Sequence, residues 1–488
     1  MLFNSIDFVV FLPIVFVLYW FATAKNLKLQ NALIVVSSFV FYGWWDWRFL
    51  SLLLFSSLID FFVGLALHKE NDLNKRKSLL AVSIFFNLGL LGFFKYFNFF
   101  ISNFKDAFTF FGHSLDIQSL DIILPVGISF YTFQSLSYGI DVYRRKLEPT
   151  KDVVAFLAFV SFFPQLVAGP IERATHLLPQ FFMKRVFNYE KAVDGMRLIL
   201  WGFFKKIVIA DNASFYVNDI FAHYTNYSGS TLILGAVLFS FQIYCDFSGY
   251  SDIAIGLSRL FGFDLMRNFK YPYFSRNVAE FWQKWHISLT SWFRDYLYLP
   301  LGGNKGNLLF KIRNVMLVFL ISGFWHGANW TFLIWGFVNA LFFIPLVIIK
   351  ENRLKLKVLE KETLLPTIRE VFEMGSTFLL ITFAWIFFRA ENIQHAFLYI
   401  RGILNPTHFF QIHSQSTFSD SIIPLMWYLS FFITVEWISR HYEHIIHPRL
   451  FKNKWHLKLT RFALYFFILL LIIMNIKNEA CDFIYFQF

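Results

Sequence analysis

Charged residues and cysteines are both scarce in this chain of 488 residues. Asp, Glu, Lys and Arg make up 16% of it, which is too little polar surface to coat a soluble globule of this size. The two cysteines, Cys245 and Cys481, allow neither a disulfide framework nor a thiolate metal site, and both are expected to be buried structural thiols. These scarcities exclude a soluble enzyme and a disulfide-rich secreted domain.

Apolar residues take the place of the missing charge. Hydrophobic residues make up 57% of the chain, Phe alone occurs 69 times, and the mean hydropathy is +0.52. Since one bilayer crossing takes about 20 residues, we predict an all-α, polytopic fold with roughly 10–13 membrane segments, some of them re-entrant or amphipathic, around a central cavity. The apolar runs cover residues 8–24, 32–45, 49–67, 79–94, 122–140, 153–166, 196–210, 232–244, 315–347, 378–388, 422–438 and 462–476.

The distribution of basic residues predicts the topology. No Lys or Arg precedes the first apolar run, whereas Lys25 and Lys28 follow it, so we expect an external N-terminus and no cleaved signal peptide. The formal charge of +12 is concentrated in connections, which suits a cytoplasmic face against anionic membrane lipid and not nucleic-acid binding. The expected location is the cell inner (plasma) membrane.

No internal repeat or flexible linker divides the chain, so we expect a single membrane domain over 1–488. An inverted-repeat transporter is the main alternative in a different functional class. Its best sequence indicator is a pair of interrupted apolar segments in matching positions of two halves, and no such pair is found.

Two histidines, each preceded by Trp, are the candidates for chemistry. His326 lies in the run 314–349, 36 residues without Asp, Glu, Lys or Arg, and His286 lies in Phe281-Trp-Gln-Lys-Trp-His-Ile-Ser-Leu289. An ionisable side chain in membrane surroundings is a functional hypothesis by default, here proton transfer. Packing of a hydrogen-bonded histidine is the alternative for both.

The residues around His286 have the pattern of an amphipathic helix over 277–296. Asn277 and Glu280 resemble a capping box at its start. At 100° per residue, His286 shares an apolar face with five aromatic residues and Leu289, while Lys284, Ser288, Ser291 and Asp295 fall opposite. We expect this helix at the membrane boundary or over a cavity.

The run around His326 must contain a break. As one helix it would be about 54 Å long, against a hydrocarbon core of about 30 Å, so we expect it to tilt, break or emerge near 327–329. Helical spacing places Ser322 and Asn329 beside His326 as polar neighbours. Gly323 and Gly327 form a notch that admits another backbone or a substrate.

Three motifs stand out: Tyr244-Cys-Asp-Phe-Ser-Gly-Tyr-Ser-Asp252, the stretch 281–304 and Gly323-Phe-Trp-His-Gly-Ala-Asn-Trp330. They resemble the membrane-bound O-acyltransferase (MBOAT) family, in particular its alginate O-acetyltransferase membrane-subunit branch. Further signatures occur at 124–131, 141–144, 168–171, 385–389 and 483–488. The resemblance implies a signature-bearing core at about 120–400, with helices of 1–119 and 401–488 packed on it.

The resemblance also implies roles for residues. The histidine held essential in the family corresponds to His326, and a second signature position, Asn or His, corresponds to His286. The stretch Arg294-Asp-Tyr-Leu-Tyr-Leu-Pro-Leu-Gly-Gly-Asn304 favours polysaccharide acetylation over D-alanyl transfer. Many relatives have a further His-Gly where this chain has Asn339-Ala340, which puts a third histidine's role in doubt.

The chemistry of acyl transfer fits these residues. A base must take a hydroxyl proton and donors must stabilise a tetrahedral oxyanion; His326 is the candidate base and His286 the second hydrogen-bonding or acid/base group. Neither Cys245 nor Ser322 has a visible base beside it, so a covalent acyl-enzyme is not implied. Weaker candidates for substrate binding or positioning, each weighed against packing or pairing within the bundle, are Trp325, Asn329, Ser322, Arg294, Asp295 and Asp246.

We therefore expect an O-acyltransferase that moves acetyl from a cytoplasmic thioester, acetyl-CoA or another acyl thioester, to hydroxyls of an exported polysaccharide, without a bound cofactor. The resemblance implies an external serine-hydrolase-like acetyltransferase as partner. Acyl or D-alanyl transfer to peptidoglycan, lipid or a teichoic-acid-like polymer, and non-enzymatic transport, remain alternatives. His441, His444 and His447 match no complete metal-ligand set, so no metal site is expected.

Overall fold

The computed structural model describes residues 1–112, 115, 117–349, 365–406, 409, 416–442, 455–477, 483 and 484, with only the backbone of 416–421 and 455–458. Within these ranges the chain is helical and has no β-strand. The predicted all-α class is confirmed.

Seven helical runs among the described residues are long and apolar enough to cross a membrane. Two of them, Leu27–Lys69 with 43 residues and Leu73–Phe110 with 38, are each about twice the length of one crossing. Two shorter apolar helices, Ile6–Ala22 and Leu459–Met474, bring the possible crossings into the predicted range. The polytopic fold is therefore confirmed.

The chain forms two compact units. The first contains residues 1–196 and 254–266, and the second contains 197–253 and 267–488. The single-domain description over 1–488 stays a prediction. Helices that begin in the first unit are α1 Ile6–Val17, α2 Leu27–Asp46, α3 Leu50–Lys69, α4 Leu73–Leu91, α5 Phe97–Phe110, α6 Ile128–Tyr143, α7 Val153–Ser161, α8 Phe163–Leu166, α9 Ala174–Leu177 and α10 Tyr189–Phe203.

The second unit carries both candidate histidines. Its helices are α11 Asp211–Ala222, α12 Gly229–Leu260, α13 Val278–Lys284, α14 Ile287–Phe293, α15 Leu308–His326, α16 Trp330–Ile348, α17 Ile368–Arg389, α18 Ile393–Ile403, α19 Ser416–Ser439 and α20 Trp455–Met474. Short π-helical segments follow α10 at Phe204–Ala210 and α14 at Arg294–Tyr298.

Side-chain caps determine where the helices of the second unit begin. An N-cap side chain accepts a hydrogen bond from an otherwise unpaired backbone N–H of the first turn. Asn307 caps α15, Asn329 caps α16, and Thr367 forms a reciprocal capping box with Glu370 at α17. The polar residues between apolar runs thus divide the chain into helices of membrane length.

The uncharged run 314–349 folds as a helical hairpin, with the break where it was expected. α15 ends at His326, α16 begins at Trp330, and each has 19 residues. A Cβ on Gly323 would lie 2.2 Å from the carbonyl oxygen of Phe332, and one on Gly336 would lie 2.4 Å from that of Phe319. The glycines therefore allow two helix backbones to touch, and α16 fills the notch predicted at Gly323.

We predict that Gly323→Ala destabilises the protein, because the added methyl group would displace the backbone of α16. Overpacking of this kind typically costs about 1–3 kcal/mol. The melting temperature of the purified protein in detergent should fall by several degrees. Gly375→Ala in α17 is the matched control, because no atom lies within 4 Å of its added Cβ. Equal melting temperatures for the two variants would contradict the packing role of Gly323.

Candidate active site

His326 lies at the end of α15 in an aromatic enclosure. It is the last residue of the helix, and the extended backbone of Gly327 follows it. Only 4% of the residue is exposed. Its ring centroid lies 4.9 Å from that of Trp325, 5.1 Å from Trp335 and 5.2 Å from Phe388, all in edge-on arrangements. The imidazole is thus held in a site from which aromatic rings exclude most of the water.

The segment 277–296 is not the single amphipathic helix that its periodicity predicted. α13 ends at Lys284, and α14 begins at Ile287. Between them, His286 adopts a left-handed backbone with φ 44° and ψ 54°. Ser288, predicted on the polar outer face, is fully buried. The prediction was wrong because tertiary hydrogen bonds, which periodicity does not reveal, hold a break in the middle of the segment.

Asn268 makes the hydrogen bonds that hold this break. Its carbonyl oxygen accepts from the backbone N–H of Ile287 at 2.9 Å, and its Oδ1 accepts from Ser288 Oγ at 2.6 Å. Its Nδ2 donates to Ser251 Oγ of α12 at 3.2 Å. A left-handed L-residue costs about 1–2 kcal/mol, and these contacts offset that cost. They anchor the His286 turn to α12.

The structure brings the two histidines together on one indole ring. The centroids of His286 and His326 lie 6.0 Å and 4.9 Å from that of Trp325. The ring of Phe247 in α12 also contacts the His286 ring, edge-on, with the two centroids 4.6 Å apart. Two imidazoles 40 positions apart in the sequence therefore belong to one buried site.

His286 is neutral at physiological pH. It is 1% exposed, and burial alone lowers its pKa to about 3 because the charged imidazolium would lose its hydration. A neutral imidazole carries one N–H donor and one acceptor nitrogen, so it can pass or orient a proton.

Tryptophans of three further helices complete the wall of the site. Trp285 is fully buried and packs on Trp385 of α17 at 5.1 Å. Trp385 stacks on Trp335 of α16 at 5.6 Å, and Trp335 contacts Trp282 of α13. Trp385 belongs to the signature at 385–389, whose part in the site the sequence alone did not reveal.

Asp246 belongs to a buried ionic network next to this site. Its carboxylate lies 2.7 Å from Lys206 Nζ and also accepts from the backbone N–H of Ile484 at 2.6 Å. Lys206 contacts Asp211 at 2.9 Å, and neighbouring Lys205 contacts Asp252 at 2.7 Å. In the first unit, Arg259 pairs with Asp194. These acidic groups are therefore paired within the bundle, which was one of the two interpretations open for them.

The remaining predicted site residues lie in different surroundings. Asn329 caps α16, and its Nδ2 donates to the carbonyl oxygen of Glu391 at 2.8 Å. Arg294 and Asp295 form an ion pair of 2.8 Å whose side chains are 62% and 34% exposed. Ser322 is buried on α15 one turn before His326. Of the weaker candidates, Trp325 alone has ring contacts to both histidines.

Sequence reasoning missed Glu436, which lies in the apolar part of α19 and is 4% exposed. Tyr244 donates to both of its carboxylate oxygens, at 3.0 Å and 2.9 Å. A single acidic residue in an otherwise apolar run was the available signal. Cys245 is fully buried in α12, while Cys481, His444 and His447 lie outside the described residues.

Two imidazoles buried in one aromatic site of a multi-pass helical fold are groups suited to proton transfer away from water. Residues 148–353 match the family described as MBOAT, membrane-bound O-acyltransferase family. The chain is 40% identical over 398 residues to the probable alginate O-acetylase AlgI of Azotobacter vinelandii, covering 81% of this chain and 76% of that protein. It belongs to the membrane-bound O-acyltransferase family and is an O-acyltransferase.

Two further relatives show the range of substrates named within the family. The peptidoglycan O-acetyltransferase of Helicobacter pylori is 36% identical over 433 residues, covering 83% of this chain and 80% of that protein. The teichoic acid D-alanyltransferase of Bacillus subtilis is 28% identical over 234 residues, covering 45% and 58%. The family resemblance drawn from the motifs is confirmed.

We predict that His286→Ala lowers acyl transfer by about 10²-fold, the scale of a lost acid/base or positioning group, while the protein remains inserted in the membrane. His286→Asn separates the two roles, because Asn also tolerates the left-handed backbone and can hydrogen-bond but cannot take up a proton. Full transfer by the Asn variant would assign His286 a hydrogen-bonding role and not an acid/base one. Transfer at the parental rate by the Ala variant, at matched membrane abundance, would leave His286 with a packing role only.

Proposed function

We propose that this enzyme transfers an acetyl group from a cytoplasmic thioester to hydroxyls of an exported polysaccharide, directly or through a partner protein. The observation that carries the proposal is the pair of buried imidazoles on Trp325 in a chain of this family. Similarity to probable alginate O-acetylases over four fifths of the chain supports a polysaccharide acceptor.

His326 acts as the base in the proposed reaction. The acceptor hydroxyl oxygen attacks the thioester carbonyl carbon while His326 takes the hydroxyl proton. The tetrahedral intermediate collapses, the carbon–sulfur bond breaks, and the sulfur leaves as a thiol after taking the proton from His326. One ester bond forms and one thioester bond breaks, so the reaction is redox-neutral and needs no oxidant.

The aromatic enclosure supports this role physically. In a site with little water, a neutral imidazole keeps its acceptor nitrogen available, and fixed dipoles act more strongly on developing charge than they would in water. His286 is proposed as a second hydrogen-bonding or acid/base group. Trp325 is proposed to position both rings, and Ser322 or Asn329 to assist the oxyanion.

Acetyl-CoA is the proposed donor, and the proposed partner is an external serine-hydrolase-like acetyltransferase that receives the acetyl group or completes its transfer. Peptidoglycan is the second candidate acceptor, because the Helicobacter pylori relative named for it covers as much of this chain as the alginate relatives do. The two acceptors differ in where ester-linked acetate accumulates in the cell.

We predict that His326→Gln abolishes acetylation, with a loss of about 10²–10⁴-fold, because Gln is polar and of similar volume but cannot accept the proton. Ester-linked acetate on exported polysaccharide and on peptidoglycan would be measured by base release and NMR at matched membrane abundance. His395→Gln is the matched control, since His395 is buried in α18 and stacks on Tyr224 at 4.7 Å. Full acetylation by the His326 variant would refute its role as base.

We also propose that the enzyme lies in the plasma membrane with an external N-terminus, which places the exposed connection between α3 and α4 in the cytoplasm. In a variant without Cys245 and Cys481, Asn71→Cys should resist an impermeant thiol reagent in intact cells and react after permeabilisation. Labelling in intact cells would invert the proposed topology.

A further inference from the structure

Two buried polar atoms beside the site lack hydrogen-bond partners among the described residues. They are Nε1 of Trp282 and Oδ1 of Asn339, in residues that are 9% and 1% exposed. The amide nitrogen of Asn339 does have a partner, because Nδ2 donates a hydrogen bond to the carbonyl oxygen of Trp335 at 2.8 Å. A buried polar group without a partner is costly, so such atoms in a functional protein call for an explanation.

The two atoms are carried by elements that pack together. The ring of Trp282 on α13 lies 5.6 Å from that of Trp335 on α16, one helical turn before Asn339. It also lies 5.5 Å from Phe319, whose ring contacts Phe343, one turn after Asn339, at 5.7 Å. The contact between α13 and α16 therefore carries, among the described residues, both an unpaired donor, on Trp282, and an unpaired acceptor, on Asn339 one turn beyond Trp335.

The part of α16 that carries Asn339 is connected to the proposed base, His326, through the ring of Trp335. The Trp335 ring that contacts Trp282 also contacts His326 at 5.1 Å, and Asn339 follows it by one turn, about 5.4 Å along the helix. From Trp335, α16 runs away from the turn at 327–329 and toward the basic connection 350–369, for which we predict a cytoplasmic position. Asn339 is thus displaced from His326 toward the side from which a cytoplasmic donor would enter.

A donor and an acceptor together match a secondary amide, which presents one C=O and one N–H. Thioesters of the pantetheine class, including acetyl-CoA, carry such an amide two methylene groups from the sulfur. When the thioester carbonyl lies near His326, this amide is the next polar group along the donor molecule. Simple alkyl thioesters have no such group.

We propose that Trp282 and Asn339 bind the amide nearest the sulfur of a pantetheine thioester. The indole N–H of Trp282 donates to the amide carbonyl oxygen, and Oδ1 of Asn339 accepts from the amide N–H. The subsite holds the thioester carbonyl at the histidines and selects pantetheine thioesters over simple ones. This assignment rests on the proposed function, since it takes a thioester as the donor.

Two small donors test the subsite with the full-length protein in detergent. S-acetyl-N-acetylcysteamine contains the amide, and S-ethyl thioacetate lacks it. Transfer of acetyl to oligosaccharides from unacetylated alginate would be followed by thiol release and ester formation, giving kcat/KM for each donor. The parent should prefer the amide-containing donor.

Asn339→Leu should reduce this preference about tenfold, the scale of one hydrogen bond, while S-ethyl thioacetate is used as before. Trp282→Phe should reduce it independently, so the test does not depend on a single variant folding. Trp330→Phe is the matched control, because Trp330 is 51% exposed and its variant should keep the parental preference.

An unchanged preference in both site variants would overturn the subsite. So would an equal loss with both donors accompanied by a lower melting temperature, because that result would mean that the two side chains only stabilise the fold. Failure of the parent to use any thioester, acetyl-CoA included, even when the proposed partner is supplied, would instead overturn the proposed function, and the subsite with it.

Discussion

The contact between the backbones of α15 and α16 is the constraint on which the site depends. Because Gly323 and Gly336 have no side chains, the two helices meet closely enough for the hairpin to turn within three residues. That turn leaves His326 at a helix end, facing Trp335 of the returning helix. The aromatic wall can then be completed by α13 and α17, which both pack on α16.

The second unit separates its charges from its imidazoles. Lys205 and Lys206 neutralise acidic residues of α12, while the histidines lie among aromatic rings. Phe247, which follows Asp246 directly in α12, contacts the His286 ring, so the ionic network and the histidine site adjoin at this point of the helix. Paired charges rigidify the helices, and the rings keep the local dielectric constant low, which favours the neutral form of His286.

Much of the fold was predictable from the sequence because membrane segments are set by apolar length. The break near 327–329 followed from a comparison of helix length with bilayer thickness, and the structure places it there. The left-handed turn at His286 was not predictable, because its cause is a hydrogen bond from Ser288 to Asn268, 20 positions away. Local periodicity carries no information about such a partner.

The candidate site was likewise only partly predictable from the sequence. Trp-His pairs in uncharged or apolar sequence indicated both histidines, and family motifs strengthened the assignment. Their common contact with Trp325 required the three-dimensional fold, as did the pairing of Asp246 with Lys206 and of Glu436 with Tyr244. The partner of a charged residue inside an apolar bundle depends on how the helices pack, and the residues adjacent to it in the sequence do not reveal that partner.

The left-handed backbone at His286 also restricts how this position can evolve. Among residues with side chains, Asn, Asp and His adopt that conformation most readily, and a β-branched or bulky residue would strain the turn. Histidine and asparagine codons differ in their first base only. A single-base change can therefore exchange one nitrogen-bearing side chain for the other at this position without straining the backbone of the turn.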